Sequence, residues 1–389
     1  MKKIVLCLSL LWGNFASAST SNINLLEHYG VEFNCSNQEI KEIKKSTSDL
    51  ISELNLSKFI EIKESDGKLD FFVSKKYAVG SNLTIDHNPI FNIEKETKSI
   101  PARDGTIETK VTSKKEILLA LLYPGRLTKF NTQSACQPNS LLEHVELRQN
   151  IVLWGQNLDW GWPNGDYAYW NKKYWDDGTP ILKNDNKTED LVVAVRDMFI
   201  NQQLYAIGCY TASKAVYLQA IIDYYARVNP NKEKLQLIVD KLLTDGEPFV
   251  DIEPPSMWYF EKEYNKKDKN KDGKLLTIIN YVEPGNFVPG DWSYFRNTDT
   301  RTNKKIGYEG SNAIYLGGDL FDDYYNDHEH GYPYERKLEE VYQWRNGVFS
   351  RERDSNKVEI IDAKKRFQLT LPIKAGGIVE SYRVVPIIF

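Results

Sequence analysis

The chain has 389 residues, 41% hydrophobic and 27% charged, which is enough apolar material for a real core and excludes wholesale disorder. Its length fits two domains, or three small ones, at about 100–200 residues each. Lys and Arg sum to 50 and Asp and Glu to 54, a net charge of −4 that excludes a broad basic face for nucleic acid.

At the N-terminus Lys2 and Lys3 precede an apolar stretch, Ile4 to Trp12, and Ala16-Ser17-Ala18 supplies a small-residue cleavage site. Residues 1–18 are therefore expected to be a signal peptide. No later segment has the roughly 18 apolar residues of a membrane span. The expected mature protein is exported, periplasmic or secreted, and soluble. Cys7 leaves with the signal, so Cys35, Cys136 and Cys209 remain. An odd count in an oxidising compartment leaves one thiol over. Cys35 and Cys136 flank the N-terminal third, and a bridge between them would close it and leave Cys209 free.

Residues 19–140 read as a mixed, polar N-terminal domain. Ile40, Ile43, Leu50, Ile51 and Leu54 recur near helical spacing within Gln38 to Ile62. Leu69 to Val73 and Ser81 to Ile85 read as strands, and Glu116 to Tyr123 as a short helix. Residues 141–389 form the expected second domain. Trp154, Trp160, Trp162, Trp170 and Trp175 crowd together there, punctuated by Gly155, Gly161, Pro163 and Gly165. Such rings either build a core or line a groove for an extended chain.

The stretch from Leu204 to Tyr225 predicts a buried helix, with Ala212, Val216, Ala220 and Tyr224 every four residues. Cys209 falls in its first turn, just after Gly208, where the helix dipole favours a thiolate. Further on, Asp268, Asn270 and Asp272 match the first half of a calcium loop. The twelfth position is Ile279 instead of Glu, and four lysines stand nearby, so no calcium and no other cofactor is expected. Phe287 to Phe295 and Glu309 to Gly318 read as strands, followed by a loop carrying His328-Glu329-His330-Gly331. Lys364 to Phe389 alternates enough for two more strands.

Three blocks carry a likeness to a known family: Leu204 to Ala212, Pro289-Gly290-Asp291-Trp292 with Tyr294-Phe295, and Asn312-Ala313-Ile314-Tyr315-Leu316-Gly317. Together, and in this order, they resemble the bacterial spore-coat-type protein-glutamine gamma-glutamyltransferases of the papain-like NlpC superfamily, over roughly residues 145–350. The resemblance implies an α+β fold, with a nucleophile helix packed on an antiparallel sheet behind a smaller mixed α/β N-terminal domain. It implies a thiol acyltransferase: Cys209 attacks a glutamine γ-carboxamide, ammonia leaves, and a lysine amine or water takes the acyl group from the thioester. The partner so implied is a protein offering Gln and Lys side chains, in or near the cell envelope.

The chain departs from the family pattern at two positions. Gly208 stands where the family has a glutamate before the cysteine, and Ser311 stands where it has a glutamate before the Asn. Glu309, two residues earlier, is the expected substitute for the latter. His330 matches the family's later His-Gly pair, with His328 its rival. The expected catalytic set is thus Cys209, His330 and Glu309. The alternatives are a cell-wall peptidase or amidase of the same fold, which would carry a His at position 311, and a non-catalytic aromatic-rich binding or matrix protein.

Overall fold

The computed structural model of the chain describes residues 28–158, 168–176, 179–183, 188–258, 271–305, 307–323, 331–348 and 355–389. The leader 1–18, Asp268, Asn270, His328, His330, Trp160 and Trp162 lie outside the described residues.

The N-terminal unit is built on four strands in the order β2-β3-β1-β6: β1 (Gly30–Asn34), β2 (Ile60–Ser65), β3 (Lys68–Val73) and β6 (Leu127–Phe130). β1 runs antiparallel to β3 and parallel to β6. Alternation sends Val31, Phe33, Leu69, Phe71 and Val73 to one face. There they form one core with Ile40, Ile43 and Ile51 of α1 (Asn37–Glu53) and with Ile117 to Leu122 of α2 (Lys114–Leu122). α1 starts on a capping box: Glu39 N–H donates to Ser36 Oγ and Ser36 N–H to Glu39 Oε2. It ends at Leu54, earlier than the expected Ile62, because Asn55 turns left-handed at φ 57°. The expected strand at Ser81 to Ile85 is instead a short 3-10 turn, Asn82–His87. Asn82 ties that turn down by donating to Phe287 O and accepting from Phe287 N–H. A separate hairpin, β4 (Glu96–Ala102) with β5 (Gly105–Val111), follows. Cys35 and Cys136 are joined by a disulfide, and Cys209 is in none.

The second sheet has six strands in the order β11-β10-β9-β8-β12-β7. They are β7 (Leu276–Asn280), β8 (Trp292–Arg296), β9 (Gly310–Gly317), β10 (Leu320–Asp322), β11 (Tyr332–Pro333) and β12 (Tyr382–Pro386). β12 slots between β7 and β8 from the far end of the chain. The expectation of two strands in 364–389 is corrected. Asp362 accepts from Lys365 N–H and starts a helix, α8 (Ala363–Leu369), so β12 is the one strand there.

All eight residues of β9 are buried, because helices cover both of its faces. On one side Trp292, Ile314, Leu316 and Val384 pack with Ala212, Val216 and Tyr217 of α5 (Cys209–Asp223). On the other, Phe295, Ala313, Tyr315 and Phe321 pack with Leu338 and Val341 of α7 (Tyr334–Gln343). In sequence α3 (Ser140–Gly155) and α4 (Thr188–Ile200) precede α5, and α6 (Lys232–Leu243) follows it. Helix α3 escapes a reading of periodicity because it is buried on nearly every side, from Leu141 to Gly155, and so shows no polar stripe.

A buried polar joint fastens the N-terminal unit to the second sheet. Asp291 accepts from both guanidinium arms of Arg126, which stands just before β6, and from Arg148 Nη1 at 2.9 Å. It also takes Val288 N–H at 2.8 Å. All three charged side chains are fully buried. Gly290 must take φ +81°, and a Cβ there would come within 3.0 Å of the Arg148 carbonyl, so only glycine fits this turn. The Pro-Gly-Asp-Trp motif is therefore a structural corner that launches β8.

Candidate active site

Cys209 opens α5 directly after Gly208, whose backbone is extended and offers no side-chain cap. The thiol is 6% exposed. Ser213 Oγ donates to the Cys209 carbonyl, which holds the first turn. From β9, Asn312 Nδ2 donates to Cys209 Sγ at 3.6 Å. The direction of that amide is set one strand away, where Trp292 Nε1 donates to Asn312 Oδ1 at 2.9 Å. With its oxygen engaged by the indole, the amide turns its NH₂ toward sulfur. The Trp292 ring is in turn held by Tyr210, at a centroid separation of 5.4 Å, and by Tyr217.

The other side of the helix start carries charge. Tyr210 OH donates to Glu253 Oε1, and Lys214 Nζ pairs with the same carboxylate at 2.7 Å and lies over the Tyr210 ring. Glu253 is fully buried. Tyr210 is thus fixed at both its ring and its hydroxyl, and Cys209 is anchored beside it.

Upstream of the thiol, Tyr169 and Ala206 form an antiparallel bridge, with Tyr169 N–H donating to Ala206 O and the reverse, both at 3.0 Å. Tyr169 is half exposed. Trp154, Trp170 and Trp175 are buried, the last two against Phe249. For these three rings core packing, not a groove, is the outcome.

Of the expected catalytic set, Cys209 is described in full and His330 lies outside the described residues. Glu309 sits one residue before β9, exposed, and its carbonyl accepts from Asn297 N–H. Strand alternation puts position 309 on the face of Ser311 and Ala313, whereas Asn312 stands on the face toward α5. Ser311 is completely buried. Asn312 had its signal in the sequence, within the Asn-Ala-Ile-Tyr-Leu-Gly block, but its bond to sulfur depends on where Trp292 stands. Of the three residues of the half calcium loop, Asp272 alone is described, and it accepts from Thr277 Oγ1 at 2.5 Å.

Two carboxyls away from the thiol sit in environments that disfavour their charge. Burial pushes Glu116 up to about 7 even though Gly318 N–H donates to it. Asp323, next to Asp322 at the end of β10, is also pushed up to about 7 by burial. Two carboxylates, Asp323 and Glu340, share one buried ammonium, Lys337, which their field keeps protonated. Asp291, by contrast, is held far below the usual carboxylate range: the Arg126 and Arg148 guanidinium groups overcome its burial.

A buried thiol outside any disulfide at a helix start, hydrogen-bonded from the central strand of an antiparallel sheet, defines an α+β protein with the layout of a thiol-bearing site. A family model described as protein-glutamine gamma-glutamyltransferase matches residues 92–333, more than half of the chain. The chain belongs to the protein-glutamine gamma-glutamyltransferase family. A protein-glutamine gamma-glutamyltransferase of Bacillus cereus (strain AH820) is 27% identical over 242 residues, 60% of this chain and 71% of that protein. One from Bacillus mycoides (strain KBAB4) is 27% identical over 179 residues, and the match spans 45% of this chain and 50% of the relative. Among solved structures, a transglutaminase from Geobacillus stearothermophilus without its C-terminal extension is 17% identical at a TM-score of 0.35, covering 64% of this chain and 93% of that one.

Proposed function

We propose that the protein is a cysteine-dependent acyltransferase acting on protein glutamine side chains, with Cys209 as nucleophile, on a papain-like layout. The observation that carries this reading is the 3.6 Å bond from Asn312 to the Cys209 sulfur, inside the stretch that matches the family. The sulfur attacks the glutamine γ-carbonyl carbon, the C–N bond breaks, and ammonia leaves a thioester on Cys209. A lysine amine then displaces sulfur to give an isopeptide cross-link, or water displaces it to give deamidation. Backbone N–H groups at the start of α5 suit the oxyanion, because a helix N-terminus concentrates unpaired donors. His330 and Glu309 are the sequence's candidates for handling the proton.

The site of action in this proposal is outside the cytoplasm, periplasmic or secreted, on proteins in or near the cell envelope. A disulfide across the N-terminal unit suits that compartment. Among the described residues no helix is long and apolar enough to cross a membrane. No metal or cofactor enters the reaction proposed. A murein peptidase of the same fold would want an imidazole at position 311, and Ser311 stands there.

The test is incorporation of dansyl-cadaverine into a casein acceptor, run beside murein release. Wild type should incorporate the amine. Cys209→Ala should abolish incorporation and Cys209→Ser leave little of it, since a hydroxyl is the poorer nucleophile. Full activity in Cys209→Ala, or murein release without amine transfer, ends this reading.

A further inference from the structure

The chain lacks a carboxylate at position 311, and Glu309 is exposed before the strand. Asp322 of β10 nevertheless shares the face of the sheet that carries Asn312. In the β9–β10 pairing Phe321 stands opposite Tyr315 and Asp322 opposite Ile314. The Phe321 and Tyr315 rings touch at 4.9 Å on the face covered by α7. The next residue must therefore point to the other face, the one Ile314 shares with α5. Asn312, which holds the Cys209 sulfur, is two residues from Ile314 on that same face. Asp322 is thus its diagonal neighbour across the strands, a relation that places Cβ atoms about 7–8 Å apart or somewhat less. Asp322 is 1% exposed.

Resting on the acyltransferase reading above, we propose that Asp322 is the catalytic carboxylate of this chain, moved one strand over from the position that Ser311 occupies. It takes the proton from Cys209 Sγ, directly or across one water, as sulfur bonds to the glutamine γ-carbon. It returns that proton to the leaving nitrogen when the C–N bond breaks, so ammonia departs neutral. In the second half it takes the proton of the incoming lysine amine and gives it back to sulfur as the C–S bond breaks. Both halves balance with no further reactant.

The charged and titratable groups around Asp322 differ by face. On the far face, Asp323 follows it just past the end of β10, and α7 contributes Lys337 and Glu340. On its own face β9 presents Asn312 and Ile314, and Asn312 in turn bonds to Cys209 in the first turn of α5.

The experiment compares full-length wild type, Asp322→Asn, Asp322→Glu and Cys209→Ala. One readout is the pH profile of dansyl-cadaverine incorporation, and a second is the rate of Cys209 alkylation by iodoacetamide against pH. Asp322→Asn should lower kcat by about 100-fold or more with little change in KM, and should shift the pH dependence of alkylation. Asp322→Glu should recover part of kcat with a displaced profile. A kcat for Asp322→Asn within about twofold of wild type overturns the proposal, as does lost activity with an unchanged alkylation profile, which marks a merely structural role. Should Asp322→Asn fail to fold, Asp322→Glu decides, and a wild-type pH profile in that variant counts against the proposal. Activity surviving in Cys209→Ala sinks the acyltransferase reading itself. An inactive Cys209→Ala beside a normal Asp322→Asn sinks this inference alone.

Discussion

At the scale of single residues, the site rests on one amide whose orientation is borrowed. Asn312 can present its NH₂ to sulfur because Trp292 holds its oxygen. Trp292→Phe keeps the apolar ring but removes the indole donor, leaving the amide free to turn over. Amine incorporation should fall by about tenfold, the rate equivalent of one neutral hydrogen bond worth about 1.4 kcal/mol, alongside a lower melting temperature because the smaller ring leaves a void in the core. Activity equal to wild type in that variant would show that the indole does not set the amide.

Glu116 offers a second test at this scale. Its carboxyl is raised from 4.5 to about 7 in the fold, so the folded state binds a proton more readily than the unfolded chain does. The associated stability is present below about pH 4.5 and is lost as pH rises through 7. Asp323 carries the same sign. Stability should thus decline from pH 5 to pH 8. Glu116→Gln, which cannot ionise and can still accept from Gly318, should flatten that decline by up to about 3 kcal/mol in urea melts. An unchanged slope would mean that another group is responsible. Asp291 has the opposite sign: its depressed pKa gives stability present above about pH 4 and lost only in strong acid.

At the scale of elements, the informative piece is the corner Pro289-Gly290-Asp291-Trp292. It turns the chain into β8, sets Trp292 against α5, and accepts the two arginines that come from before β6 and from α3. Arg126→Met would leave Asp291 in the interior with one fewer countercharge. Removing one partner of a buried pair costs about 3–5 kcal/mol, because the remaining charge stays desolvated. The expected result is a large drop in urea midpoint, together with lost amine transfer under mild denaturant that wild type tolerates. A midpoint shift below about 1 kcal/mol would show that Arg148 alone neutralises the site.

At the scale of the whole molecule, the N-terminal unit and the second sheet are one body, joined through Arg126, Asn82 and Asn286. Asn286 donates to Pro124 O, and its own oxygen accepts from Arg126 Nε. The Cys35–Cys136 bridge spans 101 positions of chain within this arrangement. In the chain-entropy account such a loop gives about 4–5 kcal/mol by restricting the unfolded state. Cys35→Ser with Cys136→Ser should therefore lower stability by that order, measured as a urea midpoint, and should weaken the catalytic half as well as the N-terminal half. Loss of structure confined to residues 30–130, with Cys209 still transferring acyl groups, would show that the two parts fold separately.

Much of this protein could be read before any coordinates. The single leftover cysteine, the glycine before it and the four-residue repeat after it located the start of α5, because local spacing alone sets a helix face. Cys35 and Cys136 fell where a bridge could close the N-terminal unit, and the three sequence blocks pointed to the family. Other features are non-local. α3 carries no polar stripe, since neighbours bury it all round. β12 reaches its place between β7 and β8 from the end of the chain. The face that position 309 belongs to, and hence its distance from the thiol, depends on strand register. Asp322 shows the same limit from the other side: in sequence it is one acid in a run of acidic and tyrosine residues, and only its pairing with Ile314 places it on the face of Asn312. A sequence fixes what each residue can do chemically, but which groups meet across strands is set by hydrogen-bond register and packing, and those exist only once the chain has folded.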